Sequence, residues 1–367
     1  MNLAQAAGES LGDAARAPYI SLSPATTITI RGNFMHGFTA ALVAGAIIAA
    51  TASGQDGAKP QAEKPKAKKT PAKKGPPPPS PTMANVKYGD HPRQAFDFWK
   101  PESDSPTPVL VFIHGGGWMN GDKSGVSGAQ VKRFLEKKVA VAAINYRFIP
   151  QAMEQKVEPP VKAPLYDAAR ALQLIRSKAT EWNIDPNRIG ATGGSAGACT
   201  SLWLAMHDDL ADPKSADPVA RQSTRLQFVA VDGAQTSLDP KELREWMPNA
   251  MYAGHAFGFH APGRKRPEEF ELCLKDREKV LPWIKEYSPI EHASKDDPPI
   301  YLYYPSQKKP PVMGENQDDP THSAVMGLAL QEKLARLGVE VHLNCPTMPS
   351  KAAKNSYDFL FDRLTGK

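Results

Sequence analysis

The stretch RIGATGGSAGACTSLWLAM, residues 188–206, decides how the chain is read. It opens as a short β-branched and small-residue run (RIGAT), turns at Gly193-Gly194-Ser195-Ala196-Gly197, and continues as an apolar helical pattern. A G-x-S-x-G turn between a strand and a helix leaves room only for small residues beside the serine. It strains the serine backbone and exposes the hydroxyl at the end of a sheet. The helix that follows brings the positive end of its dipole to that hydroxyl. Ser195 is therefore the candidate nucleophile, and Gly193, Ala196 and Gly197 are the residues that shape its turn.

Upstream lies HGGGW, His114 to Trp118, directly after the apolar run VLVFI (109–113). Three consecutive glycines let main-chain N–H groups point into a site, as a developing oxyanion requires. The expected donors are the N–H groups of Gly116 and Gly117, with that of Ala196 next to the serine. His114, Gly115 and Trp118 support the loop, His114 as a structural hydrogen bonder rather than a proton carrier.

Around these motifs the pattern alternates. Strands are expected at 95–99, 109–113, 139–145, 188–192, 228–232, 300–304 and 339–343, and helices at 131–137, 165–182, 196–206, 321–337 and 352–364. Strands alternating with helix-length amphipathic stretches predict an α/β class, a mostly parallel central sheet flanked by helices. Residues 235–289, rich in Pro, Gly, His and aromatics, break the alternation and are read as a cap-like insertion over the edge where such sheets bind ligands. Its Trp246, Tyr252, Phe257 and Phe259 are candidates for a pocket wall or for packing within the insertion.

The ends of the chain differ in character. Residues 55–83 form a Lys/Pro-rich segment with too little apolar surface to offset the entropy of folding, and a disordered linker is expected. Over residues 58–82, seven lysines against Glu63 place about six of the formal +6 charges there. The domain at 84–367 is thus near neutral, which removes a case for nucleic-acid binding, while the linker could touch an anionic surface. Within 1–54, the apolar run at 37–52 is shorter than the roughly 20 residues that span a bilayer and ends in Ala50-Thr51-Ala52. It reads as an export signal, or alternatively as an uncleaved anchor, so a periplasmic, secreted or envelope-bound protein is expected. Three cysteines, Cys199, Cys273 and Cys345, show neither a disulfide framework nor metal-site spacing.

HGGGW, Asn145-Tyr146-Arg147, Asn183-Ile184-Asp185-Pro186-Asn187-Arg188-Ile189 and GGSAG together resemble the hormone-sensitive-lipase-like and bacterial feruloyl-esterase-like branch of the α/β hydrolases, from about residue 85 onward. The resemblance implies an α/β-hydrolase fold and hydrolysis of acyl esters by a Ser-Asp-His triad without a cofactor. The implied substrates are small acyl esters or acetylated and feruloylated carbohydrate esters. It also implies that the acid follows the penultimate strand and the histidine the last one. Asp319 fits the acid, with Asp318 the alternative; followed by Pro320, Asp319 is equally an N-cap. At the histidine's position the chain reads Cys345-Pro346-Thr347-Met348-Pro349-Ser350-Lys351, and no histidine follows His342.

A serine hydroxyl needs a base to take its proton. His322, three residues after Asp319, is the candidate adopted. His342, His255, His260 and Lys351 are alternatives, as is loss of the base, which would leave a binding or scaffold protein on a hydrolase frame. Cys199 reads as a core residue. His207-Asp208-Asp209 has the residue types of a metal site, but neighbours in sequence point apart, and capping or solvation is the reading adopted.

Overall fold

The computed structural model describes residues 77–366. The apolar run at 37–52 and most of the basic linker lie outside the described residues.

The described chain opens with β1 (Met83–Lys87), β2 (Ala95–Trp99) and β3 (Thr107–Ile113). It continues through α1 (Gly128–Glu136), β4 (Ala140–Ile144), α2 (Ile149–Glu154), α3 (Lys162–Ser177) and α4 (Ala179–Trp182). Next come β5 (Ile184–Gly194), α5 (Ala196–Met206) and β6 (Phe228–Asp232). Three helices follow, α6 (Pro240–Trp246), α7 (Arg266–Lys275) and α8 (Arg277–Tyr287), and then β7 (Ile300–Tyr303), α9 (Ala324–Arg336), β8 (Val341–Asn344) and α10 (Ser356–Thr365). The strands form one eight-stranded sheet in the order β1-β2-β4-β3-β5-β6-β7-β8. β2 is antiparallel to both β1 and β4, and every other pair is parallel.

Side-chain alternation along the strands builds the layers. Val109, Val111 and Ile113 of β3 and Ala140, Ala142 and Ile144 of β4 face one core with α3, α5 and α9. Leu110, Val141 and Ala143 face the other, with Val131 and Phe134 of α1 and Leu360 and Phe361 of α10. Helices therefore cover both faces, and the central strands have no wet side.

Several boundaries move for local reasons. The helix expected at 165–182 starts at Lys162 and breaks at Lys178 into α3 and α4. The one expected from Thr321 starts at Ala324, because the Ser323 side chain accepts from the Val325 N–H and is the N-cap. Asp319 is thus not the cap; its carboxylate is spent elsewhere. The last helix starts at Ser356 rather than 352, with Asn355 capping it. β1 was not expected: three of its five residues are exposed and none is buried. The Pro79 carbonyl accepts from the Trp99 indole at 2.7 Å and Thr82 Oγ1 from the Lys100 N–H at 2.9 Å, so the end of the segment read as linker packs on β2.

Residues 235–289 hold α6, α7 and α8. They are tied together where the Arg277 guanidinium, opening α8, grips Asp239, the N-cap of α6, at 2.6–3.1 Å. Tyr252, His255 and Arg266 of this stretch come up against Gly117 of the HGGGW loop.

Candidate active site

The site forms where β3, β5, β6 and β7 end. Register pairs Ile113 with Gly193 and Gly194 with Asp232, so the HGGGW loop and the serine turn leave adjacent strands at the same level. Ser195 has φ 54° and ψ −123°, a conformation that costs a non-glycine residue about 1–3 kcal/mol and persists only when its surroundings enforce it. The surroundings do: the Ser195 N–H donates to the Asp232 carbonyl at 3.0 Å. A Cβ on Gly197 would stand 2.0 Å from the Ile113 carbonyl oxygen, so the start of α5 lies directly on β3.

The oxyanion loop is braced on both sides. Trp118, fully buried, donates its indole N–H to Thr200 Oγ1 at 3.0 Å, and that hydroxyl donates to the Ala196 carbonyl at 2.8 Å, linking the loop to α5. His114 Nδ1 donates to the Gly115 carbonyl at 2.8 Å, and its Nε2 accepts from Arg93 at 3.1 Å. Burial pushes the His114 pKa down to about 4, so the ring is neutral and structural, as expected. Gly116 and Gly117 take φ of +104° and +61°, and among the described hydrogen bonds none uses the N–H groups of Gly116, Gly117 or Ala196. Those are the three donors expected for an oxyanion.

The turn after β7 brings the remaining groups. His322 Nε2 lies 2.9 Å from Ser195 Oγ, and His322 Nδ1 lies 2.9 Å from Asp319 Oδ2. A carboxylate can only accept, so Nδ1 carries the proton and Nε2 offers its lone pair to the serine hydroxyl, the tautomer a general base requires. The other Asp319 oxygen accepts from the Thr321 N–H at 3.1 Å. Buried Gln235 holds the same turn by donating to the Thr321 carbonyl at 2.6 Å. Gln307 and Gln317, also buried, anchor Ser323 just behind it. Gly233 makes room for the imidazole: its φ is +56°, and a Cβ there would meet the His322 Cβ and Cδ2 at 3.3 and 3.4 Å. Sequence reasoning missed both Gln235 and Gly233, for which an unexpectedly polar or small residue just beyond β6 was the only signal. A cavity of about 270 Å³, lined by Gln307, Lys309, Asn316, Asp319 and His322 among others, opens beside the Asp319-His322 turn.

The other candidates lie elsewhere. Asp318 pairs with Lys309 at 2.9 Å. His342 pairs with Glu340 at 2.9 Å, and His260 with Glu269 at 2.6 Å. His255 is fully buried behind Gly117, and burial and the Arg266 charge hold its imidazole neutral. Lys351 is exposed, and the Ser350 N–H is bound to Asn344. Cys199 is buried and burial pushes its thiol pKa up; all three cysteines are free. Of the aromatics, Tyr252 and Phe257 are buried in the core, and Trp246 and Phe259 pack against it.

The BD-FAE family model matches residues 96–312, more than half of the chain. The chain belongs to the BD-FAE family. Among curated relatives, the probable isoprenylcysteine alpha-carbonyl methylesterase ICMEL1 of Arabidopsis thaliana is 31% identical over 145 residues, which is 39% of this chain and 28% of that protein. The probable carboxylic ester hydrolase LipM of Mycobacterium tuberculosis is 31% identical over 147 residues, 39% of this chain and 32% of its own length. The chain thus spans about a third or less of these two relatives. Among solved structures, a truncated carbohydrate esterase from gut microbiota superposes with a TM-score of 0.56 at 20% identity, covering 80% of this chain and 100% of that one. Native Est2 of Thermogutta terrifontis gives 0.52 at 22% identity, covering 73% of this chain and 82% of that one. The BD-FAE chain has the α/β-hydrolase fold. Its family match ends at residue 312, ahead of Asp319 and His322.

Proposed function

We propose that this BD-FAE chain is a serine ester hydrolase of the carboxylesterase type, with Ser195 as nucleophile, His322 as general base and Asp319 as the acid that orients it. One observation carries the reading: Ser195 Oγ, the His322 imidazole and the Asp319 carboxylate are joined by two contacts of 2.9 Å. As the hydroxyl oxygen bonds to the acyl carbon, its proton passes to His322 Nε2 and the carbonyl electrons move onto oxygen. The N–H groups of Gly116, Gly117 and Ala196 receive that oxyanion. His322 then gives its proton to the departing alkoxide, releasing the alcohol. Water, deprotonated by the same ring, attacks the acyl-enzyme, frees the acid and restores Ser195.

The histidine in this arrangement shares a turn with its acid instead of following β8. The rival reading, a pocket that binds without turnover, rested on the lack of a histidine after β8; the 2.9 Å contact from His322 to Ser195 supports the enzyme reading over it. The relatives' names, a methylesterase and a carboxylic ester hydrolase, support small carboxylic esters as the substrate class; carbohydrate esters are included in the proposal from the motif resemblance alone. The test is release of nitrophenol from a short-chain ester by the wild type and by Ser195→Ala. Activity in the first and background in the second is expected; equal rates would refute the assignment.

Export remains our proposal from the apolar run at 37–52, and contact with an anionic surface from the seven lysines of the linker. N-terminal sequencing of the protein from cell fractions tests the first. Salt-sensitive retention on a polyanion, lost when those lysines are replaced by glutamine, tests the second.

A further inference from the structure

At the far end of α5 from Ser195, about 16 Å away along the helix axis, His207, Glu286 and His292 converge. One donor atom from each lies within 4.8 Å of the others. His207 follows α5, Glu286 lies near the end of α8, and His292 closes the turn after it. Each imidazole has its tautomer fixed by a main-chain carbonyl. His207 Nδ1 lies 2.9 Å from the Asp208 carbonyl oxygen, and His292 Nε2 lies 2.7 Å from that of Glu286. A carbonyl oxygen can only accept, so each of these nitrogens carries its proton. In the neutral rings, Nε2 of His207 and Nδ1 of His292 are then bare lone pairs. The nearest partner of His207 Nε2 is a Glu286 carboxylate oxygen at 3.2 Å. Two acceptors thus face each other, and a ring nitrogen of His292 lies within the same 4.8 Å. Histidines whose other N–H is tied to a carbonyl are the usual form of metal-binding imidazoles.

We infer that His207, Glu286 and His292 form a binding site for a divalent transition metal of the zinc class, with two imidazole nitrogens and one carboxylate oxygen as ligands. Two nitrogens and one oxygen suit Zn²⁺ and leave its fourth position for water. The surroundings hold the donors in place: the Trp203 ring lies tilted against His207 with centroids 4.5 Å apart, its indole N–H donates to the Glu286 carbonyl at 2.9 Å, and the two imidazole centroids lie 4.6 Å apart. Asp208 and Asp209, which neighbour His207 in sequence, are not part of the trio. The site sits apart from the Ser195 centre and joins the end of α5 to the end of the insertion. Its expected role is to fasten the two together.

A proton on His207 would also reconcile the facing acceptors, as an ordinary ion pair with Glu286, and the experiment separates the two cases. The full-length, tag-free chain, stripped with a chelator and held at pH 7.5, is titrated with ZnCl₂ by calorimetry and its thermal midpoint is followed. One Zn²⁺ per chain is expected, raising the midpoint by about 3 °C or more at saturation, with Mg²⁺ and Ca²⁺ inert. Glu286→Gln preserves the main-chain carbonyl that holds His292 and Trp203 and is expected to weaken binding about tenfold or more. His292→Ala should abolish it. No Zn²⁺-dependent shift in the wild type, or an equal shift in both variants, would overturn the site.

Discussion

Replacing Asp319 by asparagine probes the least orthodox part of the active site, because this acid is on the surface. Its side chain is 48% exposed and that of His322 is 35% exposed, whereas the triad aspartate of a buried site is worth about 10⁴ in kcat. When His322 takes the serine proton, a full charge pair forms across about 4 Å. Its energy is about 1 kcal/mol at the dielectric of water and about 4 kcal/mol at the effective value near a protein surface. A half-exposed pair falls between these limits, so loss of the charge alone costs about 5-fold to 1,000-fold. Asparagine does further harm, because its amide N–H can donate to Nδ1 and drive the ring proton onto Nε2, where it faces Ser195 as a donor. Asp319→Ala is therefore expected to lower kcat about 10- to 100-fold and Asp319→Asn about 100- to 1,000-fold. Asp318→Asn, whose carboxylate is 66% exposed and paired with Lys309, should stay within about threefold of the wild type. The assay is steady-state nitrophenyl acetate hydrolysis at pH 8, with thermal melts to establish that each variant is folded. If Asp319→Asn stays within threefold of the wild type, or Asp318→Asn costs more, Asp319 is not the orienting acid.

Four further outcomes follow from the same geometry. Gly233→Ala should lower kcat about tenfold or more with only about 1 kcal/mol of instability, because the new Cβ presses on His322 from 3.3 Å; steady-state kinetics beside melting curves separates the two effects. Gly197→Ala sets a Cβ 2.0 Å from the Ile113 carbonyl oxygen, and denaturant unfolding should show a loss of about 3 kcal/mol or more. Asp167, which is 2% exposed and grips the Arg147 guanidinium at 2.6–3.2 Å, should cost about 3–5 kcal/mol in urea melts when changed to alanine, since the arginine loses its counter-charge. The native state holds the His114 pKa down from 6.5 to about 4, so the stability this imparts is intact above pH 6.5 and is lost as the pH falls toward 4. Between those limits the loss is about 3 kcal/mol, and denaturant melts of His114→Gln should show a correspondingly flatter pH dependence.

What could be read from the sequence was whatever is decided locally. The serine turn is legible because strand, small residues and helix lie side by side in residues 188–206, and the register of β3 on β5 then brings HGGGW beside it. The buried strands were legible from unbroken β-branched and alanine runs, to within a few residues of their ends. β1 escaped because three of its five residues face water and it follows a proline run, so its pairing partner rather than its composition makes it a strand. The start of α9 was misplaced because Asp319 and Pro320 are good cap residues, yet the folded chain uses Ser323 and spends the Asp319 carboxylate on His322. His322, the proposed base, was hard to find because the order implied by the resemblance places a histidine after β8. Its proximity to Ser195, 127 residues away in sequence, depends on Gly233 and Gln235 shaping one turn. Donor geometry at the end of α5 was equally hidden, since Glu286 and His292 lie far from His207 in the chain.

The central claim is that His322 activates Ser195, and the rate at which a serine-directed phosphonylating reagent labels the protein measures it most directly. The reagent needs the activated hydroxyl but neither a leaving alcohol nor deacylation. With a fluorophosphonate at pH 8 followed by intact mass, the wild type should gain one adduct, mapped by peptide digestion to Ser195. His322→Ala should label about 10²- to 10⁴-fold more slowly. Labelling of His322→Ala at the wild-type rate, or an adduct on a residue other than Ser195, would contradict it.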